Sequence, residues 1–237
     1  MTDPPSHSPA SPPGIPSVSP GIPSASPPDV AALRAVAART LGHYEASARS
    51  FWEGTKGHDV SQNLQALLDA LPARAGLRIL DVGCGPGRDL MTLRQLGHAP
   101  VGLDGCAAFV KMAREHSGCE VLEQSLFELS LPRASFDGIF ANASLFHVPR
   151  ATLPRVLGEL FEALRPGGSL FCSNPRAMGG VEREGWQGER YGTYLTLESW
   201  SALFEAAGLQ LLQHYLRPPG RPAAEQPWLA MVYTRPA

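Results

Sequence analysis

Apolar positions along this chain follow a helical period at both ends and switch to short, strand-like runs in the middle. Near the start, Val30, Leu33, Ala37 and Leu41 recur on one face behind Asp29, which is placed to cap a helix. Leu64, Leu67, Leu68 and Leu71 repeat the pattern, with Asp59 or Ser61 as caps and Pro72 as the stop. The stretch 44–57 between them, with Tyr44, Phe51 and Trp52, is expected to be a short helix and loop rich in aromatic side chains. From Leu77 onward, apolar runs at 77–82, 100–103, 119–122, 136–141 and 169–173 read as buried strands. Amphipathic helices are expected between them at 88–95, 107–115 and 150–164, the last with Leu153, Val156, Leu157, Leu160 and Leu164 on one stripe. Strands buried on both faces need helices on both sides, so this alternation predicts right-handed strand-helix-strand units, a mostly parallel sheet and the α/β class. A helix at 197–207 and runs at 210–216 and 228–233 follow, and the Pro/Gly-rich stretch 218–227 between the runs predicts a C-terminal antiparallel hairpin.

Residues 1–28 break with all of this. They hold ten of the 23 prolines and seven serines, without one Lys, Arg, Leu, Phe, Trp or Tyr. Such a segment buries too little apolar surface to offset its ordering entropy, so it is expected to be a disordered tail before a domain spanning 29–237. The 237 residues are 43% hydrophobic and 18% charged, which suits one domain with an appendage. With 20 Lys and Arg against 22 Asp and Glu, the formal charge of -2 offers no basic field for nucleic acid. Neither a bilayer-length apolar run nor an export signal is visible, so no membrane partner and a cytoplasmic location are expected. Cys84, Cys106, Cys119 and Cys172 form no CxxC pair and have no His at ligand spacing, so no metal site is expected.

The chemistry concentrates where the first strand meets the next helix, in Ile79-Leu80-Asp81-Val82-Gly83-Cys84-Gly85-Pro86-Gly87-Arg88. Glycines at alternate positions let backbone approach a ligand, and the helix N-terminal amides then face it. Asp104 follows after the second strand, placed to accept both hydroxyls of a ribose. A dinucleotide loop would read GxGxxG, but Arg88 stands where its third glycine belongs. The acidic Asp81 ahead of the glycines favours a ligand with a cationic group over a phosphate.

Asp81-x-Gly83-x-Gly85-x-Gly87 with Asp104 resembles the class I S-adenosylmethionine-dependent methyltransferase family. The stretches 136–142 and 164–170 resemble the family's fourth-strand motif and its turn into the fifth strand, in the family's order, and 142–149 resembles a bacterial small-molecule branch. The resemblance implies a Rossmann-like fold with a seven-stranded sheet. It divides the domain into a helical cap at 29–75, a cofactor-binding core at 76–175, and a substrate loop, last helix and hairpin at 176–237. It implies S-adenosylmethionine as cofactor, with Gly83, Gly85 and Gly87 under the methionine portion, Cys84 and Gly105 in the adjoining backbone, and Asp81 toward its amino group. Asp104 then takes the ribose, Leu126 packs on the adenine and Asn142 closes the fourth strand beside the site. Ser125 stands where the family commonly has an acid for the adenine amino group. Tyr44 and Trp52 are expected to touch the cofactor from the N-terminal side. Asp137 is expected to hold the sheet edge.

A sulfonium methyl is already activated, so positioning carries the rate, and a base is needed only where the acceptor must lose a proton. His147, just after the fourth strand, is the candidate base; its other reading is a structural residue bonded to backbone. Neither an Asn/Asp-Pro-Pro-Tyr/Phe run nor a Pro-Cys nucleophile is present, and Arg176, Glu182, Arg183, Glu184, Glu189 and Arg190 are mixed in sign, which leaves a small-molecule acceptor. Residues 174–196, with five glycines and Trp186, Tyr191 and Tyr194, are expected to form a mobile lid. Two other readings stay open: a scaffold or sensor that binds the cofactor without transfer, and, weakened by Arg88, an NAD-dependent oxidoreductase. Oligomeric state is not legible.

Overall fold

The computed structural model describes residues 30–237; the tail at 1–28 and the cap assigned to Asp29 lie outside the described residues. The first helix, α1 (Val30–Thr55), runs 26 residues without interruption. The aromatic stretch is therefore the helix's second half, in place of the expected short helix and loop. Leu41, Tyr44, Ala48 and Phe51 continue one stripe at spacings of three and four. That stripe packs on Cys106, Phe109 and Met112. α2 (Ser61–Asp69) follows.

The main sheet has seven strands in the order β3-β2-β1-β4-β5-β9-β8. β1 (Arg78–Val82) lies at the middle of the parallel part, between β2 (Ala99–Asp104) and β4 (Phe136–Asn142), and β3 (Glu120–Glu123) forms one edge. β5 (Leu164–Pro175) pairs parallel with β4 and antiparallel with β9 (Trp228–Thr234), which pairs antiparallel with β8 (Gln210–Arg217). The fold is therefore the expected α/β class with a reversed C-terminal hairpin. Period-two alternation divides each strand between two cores. Ile79, Phe140, Phe171 and Val232 face one side, where α2 supplies Leu64 and Leu67. Leu80, Ile139, Leu170 and Met231 face the other. There they meet Val156, Leu157 and Leu160 of α5 (Leu153–Ala163) and Trp200 and Phe204 of α6 (Leu197–Ala206). α3 (Arg88–Gln95) and α4 (Ala107–Ser117) complete the crossovers.

Two boundaries differ from expectation. The helix expected over 150–164 opens as a 3₁₀ turn at Arg150–Thr152, and Leu164 already belongs to β5. The stretch expected as a mobile loop is not irregular: it contains a second sheet, in which β6 (Arg183–Gln187) pairs with β7 (Arg190–Tyr194). The turn places Gly188 at φ 61°, and Arg39 of α1 straps it down, its Nε donating to Glu189 Oε2 at 2.8 Å. The Arg39 guanidinium also sits 4.2 Å from the Trp186 ring centre.

Candidate active site

The C-terminal ends of β1, β2 and β4 open under α1 into a cavity of about 790 Å3, the usual ligand position in an open α/β sheet. The glycine turn forms its floor. Gly83 has φ 71°, and a Cβ there would come within 2.5 Å of the Ser144 Cβ, so only glycine lets the two loops meet. Gly83, Cys84 and Gly85 line the cavity. Gly87 stands apart from the wall: at φ 91° it caps α3, and a Cβ would lie 2.8 Å from the Ala113 Cα, so its work is helix packing.

Asp104 lies at the end of β2 with its carboxylate fixed by backbone. Gly85 N–H donates to Oδ2 and Cys106 N–H to Oδ1, both at 2.9 Å. Each oxygen keeps acceptor capacity for a ligand hydroxyl. Burial pushes its pKa up to about 6, against the opposing pull of the amides of Cys106, Gly85 and Gly105. Asp81 lies behind the glycine turn, 2% exposed, and its Oδ2 has no hydrogen-bond partner among the described residues. Burial raises its pKa well above the ordinary value, and the charges of Asp89 and Asp104 add to this while Arg88 opposes it. A buried carboxylate oxygen without a partner is the donor-seeking group that an ammonium answers. Arg88, which displaces the dinucleotide glycine, grips Asp89 through two contacts of 2.8 Å and donates to the Thr55 carbonyl at 3.0 Å, joining α3 to the end of α1.

The remaining wall matches expectation unevenly. Gly105, Ser125 and Leu126 line the cavity, but Ser125 Oγ already accepts from Phe127 N–H at 3.2 Å. Trp52 lines it while stacking on His116, with ring centres 4.5 Å apart. Asn142 Oδ1 accepts from Asn63 Nδ2 at 3.0 Å, and Asn63 Oδ1 accepts in turn from Tyr215 and Arg217. Asp137 is held away from the cavity by Arg74, Arg165 and the Arg78 amide. Although burial raises its pKa, these partners outweigh it and hold the group below its usual range.

Tyr44 and His147 form one unit. The Tyr44 hydroxyl lies 2.9 Å from His147 Nε2, and His147 Nδ1 lies 2.6 Å from the Tyr191 carbonyl. A carbonyl only accepts, so Nδ1 carries the proton and Nε2 accepts from the phenol. Burial drives the His147 pKa down to about 4, with the nearby Arg190 charge adding to it and the Tyr191 carbonyl opposing. The ring is neutral at pH 7 and both nitrogens are engaged, so the expected base has no free lone pair toward the cavity.

Several wall residues escaped the sequence reading. Phe146, Arg190, Arg217 and Trp228 all line the cavity; Phe146 lies in the stretch 142–149 and Arg190 among the mixed charges without being singled out, and Arg217 and Trp228 come from segments whose spacing carries no site signature. Asn63 carried a faint signal, as a polar residue on the apolar face of α2 that is 2% exposed. Ala143, which adopts φ 61° between Asn142 and Ser144, gave none.

The S-adenosylmethionine implied by the glycine turn is compatible with these residues: Asp104 lines the cavity and keeps acceptor capacity on both oxygens, while Asp81, with its unpartnered Oδ2, sits behind the glycine turn and outside the cavity wall. Among the described residues no helix is long and apolar enough to cross a membrane. Among known proteins, a malonyl-[acyl-carrier protein] O-methyltransferase of Pectobacterium atrosepticum is 35% identical over 132 residues, 53% of this chain and 51% of the relative. A 27-O-demethylrifamycin SV methyltransferase of Amycolatopsis mediterranei is 31% identical over 180 residues, 68% of this chain and 65% of the relative. The chain thus spans about half the length of the first relative and somewhat more of the second. In fold it is similar to Burkholderia thailandensis 1,6-didemethyltoxoflavin-N1-methyltransferase, solved with 1,6-didemethyltoxoflavin and S-adenosylhomocysteine. The TM-score is 0.70 at 23% identity, over 90% of this chain and 94% of that one. The sequence model of a methyltransferase domain family matches residues 52–214, well over half of the sequence, and the chain belongs to that family.

Proposed function

We propose that the protein transfers a methyl group from S-adenosylmethionine to a small-molecule acceptor. The observation that carries this reading is the Asp104 carboxylate, held by one backbone amide on each oxygen beside the glycine turn, with acceptor capacity directed at the cavity. S-adenosylmethionine, when bound, supplies a methyl group already activated by its sulfonium. Asp104 and Asp81 hold the ribose and the amino group, and Leu126 with Ser125 borders the adenine. Tyr44, Phe146 and Trp228 close an aromatic chamber that excludes water and fits an acceptor with a flat apolar body. His147 works here as a positioning residue: it fixes the Tyr44 phenol, whose pKa burial raises above the ordinary value despite Arg190, so the phenol stays protonated and aimed. The small-molecule relative and the cavity of about 790 Å3 both support an acceptor of this size.

Calorimetric titration with S-adenosylmethionine and S-adenosylhomocysteine, with NADH as control, tests the reading. Micromolar binding of the sulfur ligands alone is expected, followed by transfer of labelled methyl to an extractable small product. Binding of NADH in their place would move the oxidoreductase reading to the front. Binding without transfer to any acceptor would favour the scaffold.

A further inference from the structure

Three guanidinium groups line the cavity; Arg88 and Arg217 are held by fixed oxygen partners, whereas Arg190 meets the Tyr44 side chain. Arg88 holds Asp89. Arg217 donates to Asn63 Oδ1 at 2.7 Å and to the Asp59 carbonyl at 3.0 Å. Arg190, at the start of β7, has no carboxylate within ion-pair distance among the described residues. Its guanidinium lies 6.0 Å from the Tyr44 ring centre, exposed at the cavity mouth. Its backbone is nonetheless well placed. Glu189 on one side is bonded to Arg39, and on the other side Tyr191 N–H donates to Thr40 Oγ1 while the Tyr191 carbonyl receives His147. An arginine on a pinned strand, at the mouth of a largely apolar cavity and with no carboxylate paired to it among the described residues, is arranged to receive an anion.

The neighbouring carboxylates do not supply that anion. Asp104 is bound by two amides, Asp59 Oδ1 accepts from Ser61 N–H, and Glu189 is paired with Arg39. The cavity also offers no ready base, since both His147 nitrogens are occupied and its ring resists protonation at neutral pH. An acceptor without a proton to surrender needs none.

We propose that the acceptor is an organic acid ionised at neutral pH, its anionic oxygen group received by Arg190 beside Tyr44 and methylated there on oxygen. This rests on the methyltransferase reading and names the acceptor class for the same site. In the step, one lone pair of the ionised oxygen forms the new C–O bond as the methyl–sulfur bond breaks. The breaking bond's electron pair stays on sulfur, leaving a neutral thioether. The acceptor's negative charge and the sulfonium's positive charge cancel, and no proton moves. Arg190 holds the second oxygen, which fixes the line of approach.

A second source of the same chemistry is the carboxylate of the cofactor's own methionine portion, and the test separates the two. The wild type and the variants Arg190→Gln, Arg190→Lys and Arg183→Gln are first titrated with S-adenosylhomocysteine. Each is then saturated with it and titrated with aryl carboxylates and their matched carboxamides, from benzoate and benzamide to 2-naphthoate and 2-naphthamide. The readout is tryptophan fluorescence, with Trp228 and Trp52 in the cavity wall. Expected for the wild type is at least one acid bound about tenfold or more tighter than its amide. Arg190→Gln is expected to erase that preference, Arg190→Lys to keep most of it, and Arg183→Gln, which removes a charge from the same hairpin outside the cavity, to leave it whole. S-adenosylhomocysteine affinity is expected to be unchanged in all three. Acids and amides that bind alike in the wild type overturn the proposal, as does a preference that survives Arg190→Gln or falls equally with Arg183→Gln. Weaker S-adenosylhomocysteine binding by Arg190→Gln assigns the guanidinium to the cofactor and overturns it as well. A wild type that binds no S-adenosylhomocysteine removes the underlying methyltransferase reading, a different result read in the first titration.

Discussion

Asp104 carries the cofactor reading at the scale of single residues, and its electrostatics make that reading measurable. Its pKa of about 6 in the fold lies above the ordinary aspartate value of 3.8, so burial of its charge costs stability above about pH 6, and the cost disappears as pH falls below about 3.8. Ligand hydroxyls donate to the charged form. S-adenosylhomocysteine affinity is therefore expected to be full above about pH 6 and to fall below it, by at most about tenfold per pH unit. Calorimetry from pH 5 to 8 checks this, and the inflection near 6 should be missing in Asp104→Asn. Asp104→Ala should weaken binding by about 1.5 to 3 kcal/mol, the range for hydrogen bonds to a charged group; unchanged affinity refutes the ribose assignment. For His147 and Tyr44, the positioning role predicts non-additivity. In His147→Asn, Tyr44→Phe and the double variant, a coupling of about 1 kcal/mol in kcat/KM is expected, together with a wild-type rate at saturating cofactor and acceptor that is independent of pH around 6. A rate inflection near 6 that vanishes in His147→Asn would restore the histidine as base.

Among the elements, the α3 start and the long α1 show why spacing alone was an uneven guide. The glycine turn was legible because its composition is rare, yet three glycines at equal spacing have unequal work. Gly83 admits Ser144, whereas Gly87 admits the α4 backbone at Ala113. Gly87→Ala is accordingly expected to cost about 2 to 4 kcal/mol of stability through its positive φ and the overlap with Ala113. A urea unfolding series would reveal this, and a loss under about 0.5 kcal/mol would show that α4 moves aside. The α1 boundary was misplaced because aromatic residues are weak helix formers taken alone. Packing on Phe109 decides their state. The β6–β7 hairpin was hidden because Gly185, Gly188 and Gly192 interrupt its pattern, and Arg39 on a distant helix holds it.

The whole molecule combines a preformed cavity with charged groups that await partners, so ligand binding should add stability directly. Saturating S-adenosylhomocysteine at about 100 times its Kd is expected to stabilise the fold by about 2.7 kcal/mol, raising Tm in proportion to the logarithm of concentration. Differential scanning fluorimetry reads this, and a Tm indifferent to the ligand would exclude specific binding to the folded state. The sequence by itself determined the α/β class, the mostly parallel sheet with its C-terminal antiparallel hairpin, the glycine turn and the acid that follows it. Those features rest on periodicity and on residue types that few other positions tolerate. Only the tertiary structure decided that His147 is spent on Tyr44 and Tyr191, that Gly87 packs while Gly85 faces the cavity, and that Arg190 has no paired carboxylate among the described residues. Each of those facts depends on which distant segment comes to lie against the residue. Tyr44 lies 103 positions and Tyr191 44 positions from His147, beyond the reach of any local pattern.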